Sequence, residues 1–264
     1  MLYCMQENMD SVITIPARGD NFMYVYPCGQ ATAIAVDPGD SGPILKLLGR
    51  LELKLAAVLV THHHWDHTAG VAELKKRTGC EVIGDDAQRI SGIDRVVGDG
   101  DILTIADTEF QVIATPGHTR SSLCYYVAAA GRCANGILWT GDTLFTGGCG
   151  RLLECDAQTM WDSLRKLSVL PDDTLVYCGH DYAQEDYEFA LGIEPDNEAV
   201  RQRLDEIRQA AASGTHTVPS TMLAERTTNP FLRAGAPELQ AALGMPNAES
   251  VEVFAELRRR KDVF

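Results

Sequence analysis

Four of the seven histidines in the chain fall within one heptapeptide, Thr61-His62-His63-His64-Trp65-Asp66-His67, directly after the apolar run that ends at Val60. Imidazoles and carboxylates are the usual donors to zinc and related divalent ions, and His62, His64, Asp66 and His67 bring them together in one short stretch. Alternate side chains of an extended backbone point the same way, which aims His62 and His64 together and sends His63 elsewhere, to solvent or behind a ligand. If a helix starts at Asp66, the turn re-aims Asp66 and His67 toward a second position, at the separation of about 3.5–4 Å found in two-metal hydrolytic sites. Three more donors stand in similar settings: His118 in Pro116-Gly-His118, Asp142 in Gly141-Asp142 and His180 in Gly179-His180 each follow a glycine just beyond an apolar strand. Glycine there permits a sharp turn at a sheet rim. A donor set without cysteine points to an open catalytic site that admits water, rather than a closed structural zinc site. Asp37, in Val36-Asp-Pro-Gly39, reads first as a turn former and second as a partner for a ligand histidine; His216 reads as a loop residue.

Such donors need strands to carry them. Short β-rich runs at 11–15, 22–26 and 31–36 are bounded by Gly, Pro, Asp or Asn, and a helical spacing over 42–53 leads into the buried-strand run 56–60. Further strands are expected at 110–114, 123–127, 137–140 and 174–178, with helices at 68–77 and 160–167. Past Tyr182 the β signals stop, and 185–191, 197–212 and 249–260 read as helices separated by Pro- and Thr-rich loops at 215–220 and 227–230. Two layers of sheet flanked by helices over 1–182, followed by a helical domain over 183–264, is the expected organisation.

The chain has 264 residues, 45% apolar and 23% charged, which excludes disordered, fibrous and disulfide-scaffold classes. Its 23 Lys and Arg against 37 Asp and Glu give a formal charge of −14, a field that repels phosphate backbones, so no nucleic-acid partner is expected. The opening segment is polar with its first basic residue at Arg18, unlike a secretory or transit segment, and no apolar run approaches the ~18 residues of a membrane span. A cytoplasmic protein with its 8 scattered cysteines reduced is expected, with no membrane and no obligate protein partner.

The seven donors together resemble the metallo-β-lactamase superfamily over roughly residues 11–182. Within it the chain is similar to glyoxalase II, the hydroxyacylglutathione hydrolases, through Thr61 to His67, Gly141-Asp-Thr-Leu-Phe145 with Gly148-Cys-Gly150, and Cys178-Gly-His-Asp-Tyr182. Thr217-Val-Pro-Ser220, Asn229-Pro-Phe231 and Arg260-Lys-Asp-Val-Phe264 extend the likeness nearly to the end. The resemblance implies an α/β fold, an αββα sandwich with paired metals at one edge, followed by the smaller α-helical C-terminal domain. It assigns His62, His64 and His118 to one metal, Asp66, His67 and His180 to the other, and Asp142 to both; beyond that ligand set, chemistry rather than the resemblance makes Asp66 and Asp142 the expected catalytic carboxylates, Asp66 steering the proton of the water. Two divalent ions are implied, zinc first, with iron or manganese suited by the same donors.

The implied reaction is hydrolysis of S-D-lactoylglutathione and related S-2-hydroxyacylglutathiones to glutathione and D-lactate by a metal-bridging hydroxide, the second step of methylglyoxal detoxification. The family's glutathione-binding positions correspond to Arg151, Leu153, Tyr182, Arg258 and Lys261, where cations can pair with the two carboxylates of the carrier. Leu153 departs from the aromatic residue the family often carries. The basic run at 258–261 has a second explanation, since cations in the last turn of a helix complement its dipole. The alternative on the same scaffold is a persulfide dioxygenase with a single iron on two histidines and an aspartate, or another hydrolase of the fold such as a lactonase or β-lactamase.

Overall fold

The computed structural model describes residues 11–264 apart from Arg132. Six strands form the first sheet in sequence order: β1 (Ile13–Ala17), β2 (Asn21–Gly29), β3 (Thr32–Val36), β4 (Lys54–Leu59), β5 (Glu81–Gly84) and β6 (Arg95–Val96). The first three are antiparallel, whereas β3, β4, β5 and β6 run parallel. The second sheet combines β7 (Ile102–Ile105), β8 (Thr108–Ala114), β9 (Leu123–Val127) and β10 (Ile137–Gly141) with β13 (Leu175–Cys178) and β14 (Ser220–Thr221) in the order β14-β13-β10-β9-β8-β7. A two-stranded ribbon, β11 (Leu144–Phe145) and β12 (Gly148–Cys149), leaves the end of β10.

The period-2 alternation of the strands builds three layers of core. Phe22, Tyr24 and Tyr26 of β2 meet Phe110, Tyr125, Trp139 and Tyr177 between the sheets, whereas Met23 and Val25 of the same strand face outward. On that outer face lie α1 (Ser41–Leu51) and α3 (Val71–Thr78), the latter preceded by the four-residue α2 (Trp65–Thr68). Cys124, Tyr126, Leu138 and Val176 face outward from the second sheet onto α4 (Ala157–Ser168). The helices are started by their own side chains: Asp40 accepts from Gly42 N at the head of α1, and Asp156 accepts from Thr159 N at the head of α4.

Of the C-terminal helices, α5 (Ala183–Ile193) and α6 (Glu198–Ser213) close a small core of their own around Tyr187, Val200, Leu204 and Ile207. The remaining helices, α7 (Met222–Thr228), α8 (Pro237–Leu243) and α9 (Ser250–Lys261), share the core outside the second sheet. The layers are thus helix, sheet, sheet, helix, as expected, with the helical segment packed on the outer face of the second sheet.

Where the chain differs from the sequence expectation, the elements are short. Strands β5, β6 and β7 have four residues or fewer, too few for a periodicity to emerge. The β signal does not end at Tyr182: Ser220 and Thr221 pair with Val176 and Leu175, inside and just beyond a segment expected to be loop. Thr227 and Thr228, expected in a loop, close the seven-residue α7, which Thr221 caps by accepting from Ala224 N. None of the seven described cysteines takes part in a disulfide; Cys4 lies outside the described residues.

One buried amide ties the helical segment to the site-bearing ribbon. Asn229 donates from Nδ2 to Phe145 O at 3.3 Å, Gly148 O at 3.0 Å and Glu225 Oε2 at 3.0 Å. Glu225 in turn accepts from Gly147 N at 2.9 Å and from Ser220 Oγ. Replacing Asn229 by alanine strands these buried acceptors, and we expect it to cost about 2–4 kcal/mol in urea unfolding. A loss below about 0.5 kcal/mol would contradict the tie.

Candidate metal centre and adjoining cleft

The donors collect at one edge of the sandwich because strand ends from both sheets arrive there. Four bonds hold the edge together: Leu123 N to Thr61 O at 2.8 Å, Tyr125 OH to Val60 O at 2.9 Å, Phe22 N to Gly179 O at 2.8 Å, and Tyr24 OH to Cys178 O. Gly141 adopts φ +48°, the left-handed turn that swings Asp142 over the end of the sheet. Gly179 is required by proximity instead, since a Cβ there would lie 2.4 Å from Asp142 Oδ1 and 2.7 Å from the His67 ring.

His62, His64, His118 and Asp142 each present a donor atom within 4.8 Å of the others, and Asp66, His67 and His180 form a second group on the same criterion. His64 Nδ1 lies 3.0 Å from His62 Nε2 and 3.1 Å from His118 Nε2. In the second group His67 Nε2 lies 3.2 Å from His180 Nε2, and Asp66 Oδ2 is 3.5 Å from both. Asp142 reaches both groups: Oδ2 is 3.4 Å from His118 Nε2 and 3.3 Å from His180 Nε2, and Oδ1 is 3.4 Å from His67 Nε2. All seven sequence-predicted donors therefore come together, and the short α2 is the turn that re-aims Asp66 and His67.

Partners on the far side of the rings set their orientation. His67 Nδ1 meets Asp37 Oδ2 at 3.0 Å, His180 Nδ1 meets Asp20 Oδ1 at 3.2 Å, and His118 Nδ1 donates to Arg151 O at 2.9 Å. Asp37 also groups geometrically with His62 and His67, but its oxygens already accept from Thr61 N at 2.7 Å and Thr61 Oγ1 at 2.6 Å. It is a partner of a ligand histidine as well as a turn former with φ +48°, so the two readings of Asp37 hold at once. Asn21 Nδ2 also donates to Asp66 Oδ2 at 3.0 Å, but in the sequence Asp20-Asn21 reads as no more than a turn leading into a strand, which hides both residues from local pattern. His63 points away, with Nε2 3.2 Å from Arg89 Nη1, and His216 is an exposed loop residue against the Phe22 ring.

The electrostatics call for a cation. Burial and the imidazoles of His67, His118 and His64 hold His62 well below its usual pKa, and burial with His118 and His63 takes His64 down to about 4. Burial also disfavours a charged His67, yet Asp142, Asp37 and Asp66 outweigh it and raise that ring to about 9. Asp142 is held well below the carboxylate range, with His67, His180 and His62 overcoming its burial. Its Oδ1 is buried without a hydrogen-bond partner. Convergent nitrogens, a carboxylate shared between two groups and an orphaned buried oxygen fit divalent metal.

From Asp142 and His118 a cleft of about 350 Å³ runs between the ribbon and the C-terminal helices, lined also by Arg151, Tyr182, Asp186, Arg258 and Lys261. Arg151 is exposed, whereas Arg258 is 5% exposed and donates to Cys149 O at 2.8 Å and Asp262 Oδ1 at 3.0 Å. Lys261 Nζ lies 2.6 Å from Glu185 Oε1 and 3.2 Å from Asp186 Oδ1. Tyr182 stacks on His180 at 5.0 Å, and burial, with Asp20, Asp142 and Asp66 nearby, raises its hydroxyl above the usual value. Leu153, by contrast, is 52% exposed and is not among the residues lining the cleft. Its neighbour Glu154 is drawn outward to Arg89 Nη1 and Arg120 N, which turns the segment toward the rim.

An αββα sandwich with a histidine–aspartate centre at its edge defines the metallo-β-lactamase class, and the model for "Metallo-beta-lactamase superfamily" matches residues 18–180. The model for "Hydroxyacylglutathione hydrolase C-terminus" matches residues 181–264. The chain is 47% identical over 95% of its length to a hydroxyacylglutathione hydrolase of Rhodospirillum rubrum, 97% of which is covered. It is 43% identical over 97% of its length to that of Methylococcus capsulatus, 99% covered. Among solved structures, ETHE1 from Myxococcus xanthus is similar with TM-score 0.68 and 25% identity over 94% of this chain and 90% of that one. The BLEG-1 B3 metallo-beta-lactamase is similar in fold, with TM-score 0.62 at 24% identity, covering 84% of this chain and 99% of that one. The chain belongs to the hydroxyacylglutathione hydrolase family.

Asp186 supplies a pH test of the cleft. Burial pushes its carboxyl up to about 7 against the pull of Lys261 and Arg258. A carboxyl raised above its unfolded value loses stability as pH climbs from about 4 through about 7, because the unfolded chain then releases the proton more readily. The stability of Asp186→Asn relative to wild type is therefore expected to increase between pH 5 and pH 8 in urea titrations. A difference that stays flat over that window would show Asp186 ionised throughout.

Proposed function

We infer that the protein is a thioester hydrolase that cleaves S-D-lactoylglutathione and related 2-hydroxyacyl thioesters of glutathione to glutathione and the hydroxy acid. The observation that carries this reading is the continuity of one cleft: it begins at His118 and Asp142 and ends among Arg151, Arg258 and Lys261. A dianionic thiol carrier matches the cationic end, and the acyl carbon then lies at the donor cluster. The relatives from Rhodospirillum rubrum and Methylococcus capsulatus are named hydroxyacylglutathione hydrolases, which supports this reading.

His62, His64 and His118 would hold one ion, Asp66, His67 and His180 a second, and Asp142 would serve both. When bound, paired divalent ions lower the pKa of water toward neutrality and polarise a carbonyl oxygen. Zinc is the proposed metal, with iron or manganese suited by the same donors. The chain's own groups do the rest. Arg151, Arg258, Lys261 and Tyr182 anchor the carrier, Asp142 fixes the mutual position of the two donor groups, and Asp66, a quarter exposed, steers the proton of the attacking water. Water adds to the thioester carbon, the carbon–sulfur bond breaks, and sulfur leaves as a thiolate, whose ordinary pKa near 8.5 makes a strong general acid unnecessary. The described residues include no helix long and apolar enough to cross a membrane, and the proposed setting is cytoplasmic, with the thioester as the partner.

Purified, zinc-loaded protein is expected to release glutathione and D-lactate rapidly from S-D-lactoylglutathione and to lose that activity on chelator treatment; zinc-loaded protein inert toward the thioester would overturn the substrate assignment. Asp142→Ala should lose metal and at least a hundredfold in turnover together, measured by metal analysis beside the rate. Lys261→Ala should raise KM about tenfold with kcat nearly unchanged, since it removes binding remote from the reacting bond.

A further inference from the structure

We propose that Asp20, which closes the β1–β2 turn, and Asn21, the first residue of β2, are positioning residues for one half of the metal centre. They hold the Asp66, His67 and His180 position and leave the His62, His64 and His118 position untouched. The inference rests on the two-position reading above.

The geometry is unequal between the halves. Asn21 Nδ2 donates to Asp66 Oδ2 at 3.0 Å, the same oxygen that faces the rings of His67 and His180 at 3.5 Å. His180 Nδ1 meets Asp20 Oδ1 at 3.2 Å, which leaves its Nε2 turned to the cluster. One dipeptide therefore fixes two of the three donors particular to this position, and Asp37 fixes the third through His67 Nδ1 at 3.0 Å. In the other half, His62 Nδ1 lies 3.0 Å from Thr61 Oγ1 and His118 Nδ1 donates to Arg151 O. Neither partner belongs to the β1–β2 turn.

The end of the turn and the start of β2 are seated by backbone bonds, so the two side chains are available for this work. Phe22 N donates to Gly179 O and Asp181 N to Asp20 O, both at 2.8 Å, and Asn21 bridges to His180 across the two sheets. Removing either side chain leaves these bonds in place. Asp66 would then lose the donor that restrains a carboxylate already a quarter exposed. His180 would lose the acceptor that selects its tautomer. The Asp20 side chain is half exposed, so its carboxylate is held there by the histidine contact rather than by packing.

The test loads wild type, Asp20→Ala, Asp20→Asn and Asn21→Ala with zinc and measures zinc per chain after dialysis against a competing chelator, with circular dichroism on the same samples. Wild type should retain two zinc ions. Asp20→Ala and Asn21→Ala should retain about one, with the weaker dissociation constant raised about 10–100-fold and the tighter one unchanged. Asp20→Asn, which keeps an acceptor oxygen, should recover part of the lost affinity. Variants that hold both ions as wild type does, or lose both in parallel, would overturn the inference. Should Asn21→Ala fail to fold, Asp20→Ala decides alone, because its side chain is half exposed. A wild-type chain that holds fewer than two ions sinks the two-position reading itself, and this inference with it.

Discussion

Lone-pair crowding at the sheet edge is the constraint on which the rest of the structure depends. Five imidazoles and two carboxylates converge with donor atoms between 3.0 and 3.9 Å apart, most of them buried. Buried groups of this kind repel or stay unsatisfied unless a cation sits among them, and they relax apart unless something holds them. What holds them is a ring of outer partners. Asp37, Asp20, Thr61 and the Arg151 carbonyl each occupy the nitrogen that faces away from the cluster. A ring nitrogen committed outward leaves its opposite number free to accept a cation rather than donate a proton.

The sandwich serves that constraint through its strand ends. His62 and His64 follow β4 of the first sheet, whereas Asp142 and His180 follow β10 and β13 of the second, so the centre straddles the seam between the sheets. Cross-seam bonds from Phe22, Tyr24, Leu123 and Tyr125 lie next to the donors themselves. The aromatic core behind them, with Trp139 wholly buried against Tyr26, Phe110 and Tyr177, resists sliding of one sheet over the other. A seam free to slip by an ångström would part His67 from Asp142, because the contact joining them runs across it.

Much of this was legible in the residues. The heptapeptide Thr61 to His67 announces its chemistry because histidine density is rare and the preceding apolar run marks a strand exit. His118, Asp142 and His180 were legible for the same reason, each as a donor after a glycine, although the glycines act differently: Gly141 through its positive φ and Gly179 through contact with Asp142. The outer partners were less visible. Asp20, Asn21 and Asp37 are turn-forming types in or beside turns, so local pattern explains them fully and leaves no residue of surprise to signal a second duty. Leu153 follows Arg151 by two residues in the sequence, but Glu154 and Arg89 hold its segment at the rim, where it is exposed. The small elements β5, β6, β7 and β14 take their character from neighbours distant in sequence, which no local window contains.

The charge pattern of the cleft completes the same logic at larger scale. A chain with formal charge −14 presents its cations where an anionic carrier would lie, and it keeps them there by burying their stems. Arg258 is anchored on Cys149 O and Asp262, and Lys261 on Glu185 and Asp186. Glu185 neutralises part of the Lys261 charge, so in the proposed function an incoming carboxylate would compete with Glu185 rather than meet a bare ammonium. Glu185 Oε1 is on the exposed side of that pair, with a side chain 61% accessible, and can yield to solvent at little cost. Asp186 cannot, being buried, and it stays as the post that keeps Lys261 aimed into the cleft. In the proposed function the helical segment would do for the thiol carrier what the outer ring of partners does for the donors: it orients groups whose chemistry faces the other way.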